Sequence, residues 1–298
     1  YRSHLQGANS GMFDALINVL EAQGLQPLPI AVASLKDPES IALVNALIEQ
    51  SQARLIINTT SFASNTVGCP GDKEHAIGGD AAGPSDFQSP FKRQIPVLQL
   101  ILSSSTEQDW CEHKQGLRSR DIAMQVVLPE MDGRIITRPI SFKSESYFSQ
   151  RCEISVVRYQ LYRERALFVA KLAERYCRLA NTANGDKRIA LILANYPTKD
   201  GRIGNGVGLD TPASTINVLQ ALKAAGYSLG DELPHTGTEL IQQLLGSVTN
   251  NPDTLVLLPC WQSMAVHDYM AVFDTLPEAC REAVWQRWGA PEQDPKCR

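Results

Sequence analysis

Residues 28–57 read LPIAVASLKDPESIALVNALIEQSQARLII, with an apolar segment at each end and a helical pattern between them. Asp37, Pro38 and Glu39 supply a helix-capping residue followed by a proline in the first turn. Apolar residues then recur at helical spacing as far as Ile48. A helix between two short apolar segments is typical of a βαβ unit, in which the strands are parallel and helices cover the sheet. The pattern therefore predicts an α/β fold.

The same alternation of helices and strands is predicted on both sides of these residues. The predicted elements are a helix over 11–23, a strand over 54–57, a strand over 96–102, a helix over 119–128 and a strand over 134–140. Residues 64–94 form a long segment rich in Gly, Pro, Ser and Asp. A segment of this length inside a compact domain is either a binding loop or lid, or a disordered insertion.

The spacing of Ile154, Val157 and Leu161 with later apolar residues predicts one long helix over 150–180. The apolar run at 188–194 is expected to begin a second α/β unit. We therefore predict two Rossmann-like lobes with mostly parallel sheets joined by a long helix. The expected divisions are a first lobe over 1–149 with a truncated N-terminal strand, a connecting helix and linker over 150–182, and an incomplete second lobe over 183–298.

Composition excludes several classes of protein. The chain has 298 residues, 43% of them hydrophobic, and a net charge of −4, so it does not attract nucleic acid or an anionic membrane through a global field. Its apolar runs are far shorter than the roughly 20 residues needed to span a bilayer. Its seven cysteines form no CxxC motif, which predicts reduced thiols in the cytoplasm. Cys111 with His113 and Cys69 with His75 are isolated pairs, too few for a structural zinc site.

Two local motifs stand out. Residues 195–214 read NYPTKDGRIGNGVGLDTPAS and precede a helix predicted over 212–225. Backbone N–H groups at such a helix start suit an anion, but neither GxGxxG nor GxxxxGK[ST] is present, so phosphate binding and a purely structural crossover both remain open. Residues 128–134 read LPEMDGR and place two carboxylates at a helix-to-strand turn, where acidic residues normally serve capping and solvation.

The ordered series of motifs resembles the large subunits of ATP-dependent cobaltochelatase and magnesium chelatase. The matching segments are YRSH at 1–4, GAN at 7–9, LP at 28–29, SLKD at 34–37, NTTSF at 58–62, PVLQ at 96–99, Trp110, GL at 116–117, RDIAM at 120–124, LPEMDGRI at 128–135, NYP at 195–197, GN at 204–205, GLDTPAS at 208–214, GY at 226–227, WG at 288–289 and PE at 291–292. GLDTPAS and the SFK at 141–143 look like the cobalt branch. Members of this family are several times longer, so the resemblance covers an internal portion.

The resemblance implies a tetrapyrrole-binding subunit that inserts Co²⁺ into a hydrogenobyrinic acid diamide-type corrin during cobalamin synthesis. It also implies that separate AAA+ ATPase subunits hydrolyse ATP, that Co²⁺ is a substrate, that no cofactor is permanently bound, and that the fragment alone is inactive. Three alternatives remain. They are a magnesium chelatase subunit acting on protoporphyrin, a non-catalytic module of periplasmic-binding-protein type suggested by the βαβ pattern, and a nucleotide-dependent enzyme suggested by the glycine loop.

Metallation of a tetrapyrrole requires a group that accepts pyrrolic protons, and a carboxylate within hydrogen-bond reach suits this role. The family match at 128–134 therefore makes Glu130, and with it Asp132, the predicted catalytic residues. The corrin precursor carries many carboxylates, which basic and amide groups bind well. The predicted substrate-binding residues are His4, Asn58, Gln99, Arg134, Gly204, Asn205 and Asp210.

Overall fold

The computed structural model describes residues 4, 6–64, 89–194, 203–230, 232–249, 251, 257–294 and 297. Its contacts divide the chain into two compact units, Tyr1–Asn181 and Thr182–Arg298. Most of the predicted loop or insertion at 64–94 lies outside the described residues, as do residues 195–202 of the glycine-rich motif.

The first unit is built on one four-stranded sheet. Its strands are β1 (Ile56–Asn58), β2 (Val97–Thr106), β3 (Ile135–Ser149) and β4 (Ile154–Leu161), which lie in the order β1-β2-β3-β4. The first three strands are parallel, and β4 runs antiparallel to β3. The predicted α/β class and the mostly parallel sheet are therefore confirmed.

Helices cover both faces of this sheet. They are α1 (Gly11–Glu21), α2 (Pro38–Ser51), α3 (Glu107–Glu112), α4 (Ser119–Ile122), a π-helical segment (Ala123–Val127), α5 (Leu128–Met131) and α6 (Arg163–Asn181). The predicted start of α2 is confirmed, because the Asp37 carboxylate accepts a hydrogen bond of 2.9 Å from the Ser40 N–H. This bond satisfies one of the N–H groups that a helix start leaves without a partner.

The two faces of the sheet differ because successive side chains of a strand point to opposite sides. Leu98, Leu100 and Leu102 of β2 pack with α1 and α6 in the main apolar core. Val97 packs on the other face, with α2. Gln99 shares this second face by alternation. The second face therefore holds both a small apolar cluster and buried polar groups.

The strand expected before α2 is absent. Residues 28–33 form no strand, although Ile30 and Val32 pack against the α2 cluster. Pro27 and Pro29 explain this result, because proline has no N–H to donate to a strand ladder. The segment packs as an apolar segment, but its backbone does not form the predicted strand.

The long helix predicted over 150–180 is wrong in its first half. Residues 154–161 form β4, and the helix α6 begins only at Arg163. A turn that includes Glu153 at φ 51° reverses the chain between β3 and β4. The apolar residues Val157 and Leu161 fit helical spacing, but with Tyr159 they also alternate with polar neighbours, as a strand requires.

The second unit is helical in its described part. Its helices are α7 (Thr211–Ala224), α8 (Gly237–Leu245), α9 (Val266–Phe273) and α10 (Glu278–Trp288), with short 3₁₀ turns at Asn184–Asp186 and Pro291–Gln293. Residues 188–194 are not a strand, so the prediction of a strand there is wrong. Within the described ranges of this unit, β pairing is limited to isolated bridge residues, among them the bridge between Gly206 and Leu209.

Candidate functional site

A buried polar cluster lies where the end of β1 meets the starts of β2 and β3. It contains four residues predicted from the sequence as site residues, namely Asn58, Gln99, Asp132 and Arg134, all of them buried. Asn58 pairs with Gln99 in the register of the parallel strands. The fold therefore brings together candidates that stand up to 76 residues apart in the sequence.

Arg134 is the centre of this cluster. Its Nη2 donates to Asp132 Oδ2 at 2.7 Å and to Ser64 Oγ at 2.6 Å. Its Nη1 donates to Gln99 Oε1 at 3.0 Å and to the Thr60 carbonyl at 3.3 Å. The four Nη hydrogens thus meet four protein acceptors, which is the planar fork geometry that a guanidinium favours.

The amides of Asn58 and Gln99 complete the network. Asn58 Nδ2 donates to Gln99 Oε1 at 2.6 Å. Asn58 Nδ2 and Gln99 Nε2 also donate to the Thr60 carbonyl, at 3.1 and 3.2 Å. Asp132 Oδ2 accepts from the Ser64 N–H at 2.5 Å. The segment at 60–64 is therefore held at both of its ends by the cluster.

The electrostatics of the cluster follow from its burial. The side chains of Arg134 and Asp132 are each 2% exposed. Burial lowers the pKa of Arg134, while the adjacent Asp132 carboxylate opposes this shift. A guanidinium remains a cation at any physiological pH, so the pair is an ion pair shielded from solvent. In this geometry, direct contact of either group with a ligand would require the cluster to open.

A second set of contacts connects the 60–64 segment to the π-helical segment. In the π register the Leu128 N–H donates to the Ala123 carbonyl, five residues back. The next donor in this register is Pro129, which has no N–H, so the Met124 carbonyl has no donor from the helix. The Phe62 N–H donates to this carbonyl at 2.9 Å. The proline of the LPEMDGR motif thus creates the acceptor that fixes the NTTSF motif.

Two further residues were not predicted from the sequence as site residues. Gln125 Oε1 accepts from the Leu102 N–H, and Gln125 Nε2 donates to the Leu102 carbonyl, both at 2.7 Å. Asp121 Oδ2 accepts from the Ser104 N–H at 2.8 Å. Both side chains bond to backbone groups of β2 and so attach the helical stretch at 119–131 to the sheet. In the sequence both are polar residues within a predicted helix. Only the packing shows that they are buried, so the sequence alone could not single them out.

Glu130 lies outside the buried cluster, at an exposed position of α5. On a helix, residues three and four apart share a face. Val127, three residues before Glu130 and also exposed, therefore lies on the same face as Glu130, while Met131, four residues after Val127, is exposed as the next residue of α5. The helical stretch at 127–131 therefore carries an exposed carboxylate together with two apolar residues that are each about half exposed.

The remaining predicted residues of the first and second units lie elsewhere. His4 makes ring contacts with Phe13 and Tyr159, which pack against the core on the α1 and α6 face, so it lies on the side of the sheet away from Gln99. Burial lowers the pKa of His4, which favours its neutral form. In the second unit, Asp210 Oδ1 caps α7 by accepting from the Ala213 N–H at 3.0 Å.

Gly204 and Asn205 belong to the glycine-rich motif of the second unit. Gly204 is buried with φ +70°, and a Cβ there would lie 3.7 Å from both Pro212 and Ile241. The positive φ accounts for glycine at this position. Asn205 is exposed.

The described residues offer neither a metal-ligand cluster nor a membrane-spanning helix. Within the described ranges, no three His, Cys, Asp or Glu side chains form a group able to hold a metal ion. The six cysteines in those ranges are free thiols, Cys111 among them, whereas Cys69 and His75 lie outside the described residues. No described helix is both long and apolar enough to cross a membrane.

The motif series, which supplies the residues of the buried cluster at 58, 99, 132 and 134, agrees with one family of proteins. The chain belongs to the CobN/Magnesium Chelatase family, whose model matches residues 1–298. The resemblance read from the motif series is therefore confirmed.

Individual relatives place the chain more closely. It is 51% identical over all of its residues to the aerobic cobaltochelatase subunit CobN of Pseudomonas aeruginosa, of which it covers 22%. It is 27% identical over 82% of its length to the magnesium-chelatase subunit ChlH of Oryza sativa, of which it covers 16%. The catalytic subunit of cobaltochelatase from Mycobacterium tuberculosis superposes with a TM-score of 0.67 at 31% identity, over 95% of this chain and 22% of that chain. The chain thus spans about a fifth of the length of these cobaltochelatase relatives.

Proposed function

We propose that the chain is part of the tetrapyrrole-binding subunit of an ATP-dependent chelatase that inserts Co²⁺ into a hydrogenobyrinic acid diamide-type corrin in cobalamin synthesis. The observation that carries this proposal is the 51% identity, over the whole chain, to a relative named as an aerobic cobaltochelatase subunit. The identity to the magnesium-chelatase relative is 27% and covers less of the chain. Insertion of Mg²⁺ into protoporphyrin is the second candidate, because the family model includes both branches.

The reaction makes two demands that side chains of this chain can meet. Two pyrrolic protons must leave the ring, and Co²⁺, a substrate here, must lose water before it enters. We assign proton acceptance or transfer of the metal to Glu130, which is exposed and belongs to the same helical stretch as the exposed Val127 and Met131. A base must lie within hydrogen-bond reach of the proton that it takes, and a ligand resting on these apolar side chains would meet this condition.

The buried cluster is assigned a different role. Its side chains form hydrogen bonds with one another and with the 60–64 segment. They are Asp132, Arg134, Gln99 and Asn58. We propose that they position the residues that meet the substrate and take no part in proton transfer. Asp210, which caps α7, is likewise proposed to fix local structure, whereas substrate binding by His4, Gly204 and Asn205 stays a prediction.

The energy source is proposed to lie in partner subunits. We assign ATP hydrolysis to separate AAA+ ATPase subunits, as the family resemblance implies, and this chain itself contains no GxxxxGK[ST] motif. The free thiols of the described cysteines agree with a cytoplasmic location, which is part of this proposal.

Titration and turnover of the full-length subunit that contains this chain test the proposal. Addition of the metal-free corrin without ATP is expected to shift its visible absorbance as it binds. Co²⁺ insertion is expected only after the AAA+ partners and ATP are added. Robust ATP-dependent insertion by this subunit alone would contradict the division of labour. Metallation of protoporphyrin with Mg²⁺, and none of the corrin with Co²⁺, would favour the second candidate.

A further inference from the structure

Phe62 combines an unusual backbone with an exposed aromatic ring. Its φ is 69°, and its side chain is 48% exposed. The three other described non-glycine residues with positive φ have ordinary explanations, since Ala8 lies in a turn, Gln52 ends α2 and Glu153 lies in the turn before β4. A bulky residue with φ > 0 that neither ends a helix nor turns a hairpin is a genuine outlier.

Contacts on both sides hold Phe62 in this conformation. Two residues before it, the Thr60 carbonyl accepts hydrogen bonds from Asn58, Gln99 and Arg134. Two residues after it, the Ser64 N–H and Oγ bond to Asp132 and Arg134. Its own N–H bonds to the Met124 carbonyl that Pro129 leaves without a helix donor.

The strained backbone of Phe62 does not serve packing in the core of the first unit. A strained backbone persists only where its surroundings over-determine it, and such residues cluster at ligand-binding sites. If Phe62 packed in the core, burial would account for the strain, but the residue is about half exposed. A buried ion pair and two amides therefore fix an aromatic ring at the surface of the molecule.

We propose that Phe62, with Val127 and Met131 of the adjacent helical stretch, forms the surface on which one face of the tetrapyrrole macrocycle rests. This inference rests on the proposed function. A tetrapyrrole offers a flat, largely apolar face, which suits an aromatic ring held rigidly. It also gives up protons, which suits the Glu130 carboxylate on the same helix face as Val127. A stable protein interface buries several hundred Å² on each partner, much more than these three side chains expose.

The test uses the full-length subunit with Phe62→Ala and a matched control. Phe148 lies on β3, is 47% exposed, and takes no part in the cluster, so Phe148→Ala removes an equally exposed ring. Titration with the metal-free corrin is expected to show an affinity about 10-fold lower for Phe62→Ala, since the lost aromatic contact corresponds to roughly one decade in Kd. Phe148→Ala is expected to bind within about 2-fold of the unchanged protein. Phe62→Trp, which keeps a ring, is expected to bind more tightly than Phe62→Ala.

A stability measurement separates contact with the ligand from a structural role. Glycine adopts φ near 70° without strain, so Phe62→Gly is expected to unfold at a urea concentration at or above that for Phe62→Ala, while binding the corrin no better. Equal affinities for Phe62→Ala and Phe148→Ala would overturn the inference but leave the proposed function standing. Loss of AAA+ partner binding with unchanged corrin affinity would also overturn it. Absence of corrin binding by the unchanged subunit would contradict both this inference and the proposed function.

Discussion

Replacement of Arg134 by methionine is expected to lower the free energy of unfolding of the first unit by about 3–5 kcal/mol, the usual cost of removing one partner of a buried ion pair. Methionine fills similar volume but leaves the Asp132 carboxylate, 2% exposed, without its cation. It also leaves Gln99 Oε1 and the Thr60 carbonyl without the Nη1 donor. The loss of the charge partner dominates, because each neutral hydrogen bond contributes only about 1 kcal/mol net.

Two further variants show whether the cost comes from the ion pair. Arg134→Lys keeps a positive charge but has three donors in place of the four Nη hydrogens, and we expect it to cost about 2 kcal/mol. Asp132→Asn combined with Arg134→Met removes both charges together. The double variant is expected to be at least about 1.5 kcal/mol more stable than the sum of the two single changes predicts.

Urea denaturation of the chain, followed by circular dichroism, gives these free energies. Hydrogen exchange of a peptide covering 59–64 gives the local effect. The Ser64 N–H, which donates to Asp132, and the Phe62 N–H are expected to lose protection in Arg134→Met. A cost below about 1 kcal/mol, additive single and double variants, or unchanged protection at 59–64 would refute the view that this ion pair holds the segment in place.

Three other predictions follow from the geometry. Glu130→Gln in the full-length subunit is expected to slow metal insertion by about 10²-fold or more and to leave corrin affinity within a few-fold, whereas normal turnover removes Glu130 from the mechanism. Gln125→Leu is expected to cost about 2–3 kcal/mol in urea denaturation, because its two hydrogen bonds to the β2 backbone are lost in a buried position; a cost near zero would show that this contact is dispensable. Limited proteolysis is expected to cut first within 64–94 or 181–187, and early cleavage inside 28–58 would count against the proposed division into lobes.

The parts of the fold that rest on local signals could be predicted from the sequence. Asp37 and Pro38 mark the start of α2 through capping chemistry that is complete within four residues. The turn at Gly133 and the strand after it were predicted in the same way, and Gly133 has φ 68°. Family motifs identified the members of the buried cluster, although they did not reveal that these members bond to one another.

The rest depends on contacts that no local pattern encodes. The residues of β4 fit both helical and strand spacing, and only the neighbouring strand β3 decides between them. The π register at Ala123–Val127 depends on both Pro129 and the need of Gln125 to reach β2. The strained φ of Phe62 is imposed by groups as distant in sequence as Arg134, so the residue gives no sign of it in the sequence.

The cluster around Arg134 also has a consequence for the order of folding. Its hydrogen bonds join residues 35 positions apart at Gln99 and 70 positions apart at Ser64. Contacts of such separation require closure of long loops, whose entropy cost delays them relative to helices and hairpins. They can form only after β1, β2 and β3 have reached their parallel register. We therefore expect a newly made chain to acquire the conformation of Phe62 among its last folding steps, so that a partly folded chain would not yet present this residue to a ligand.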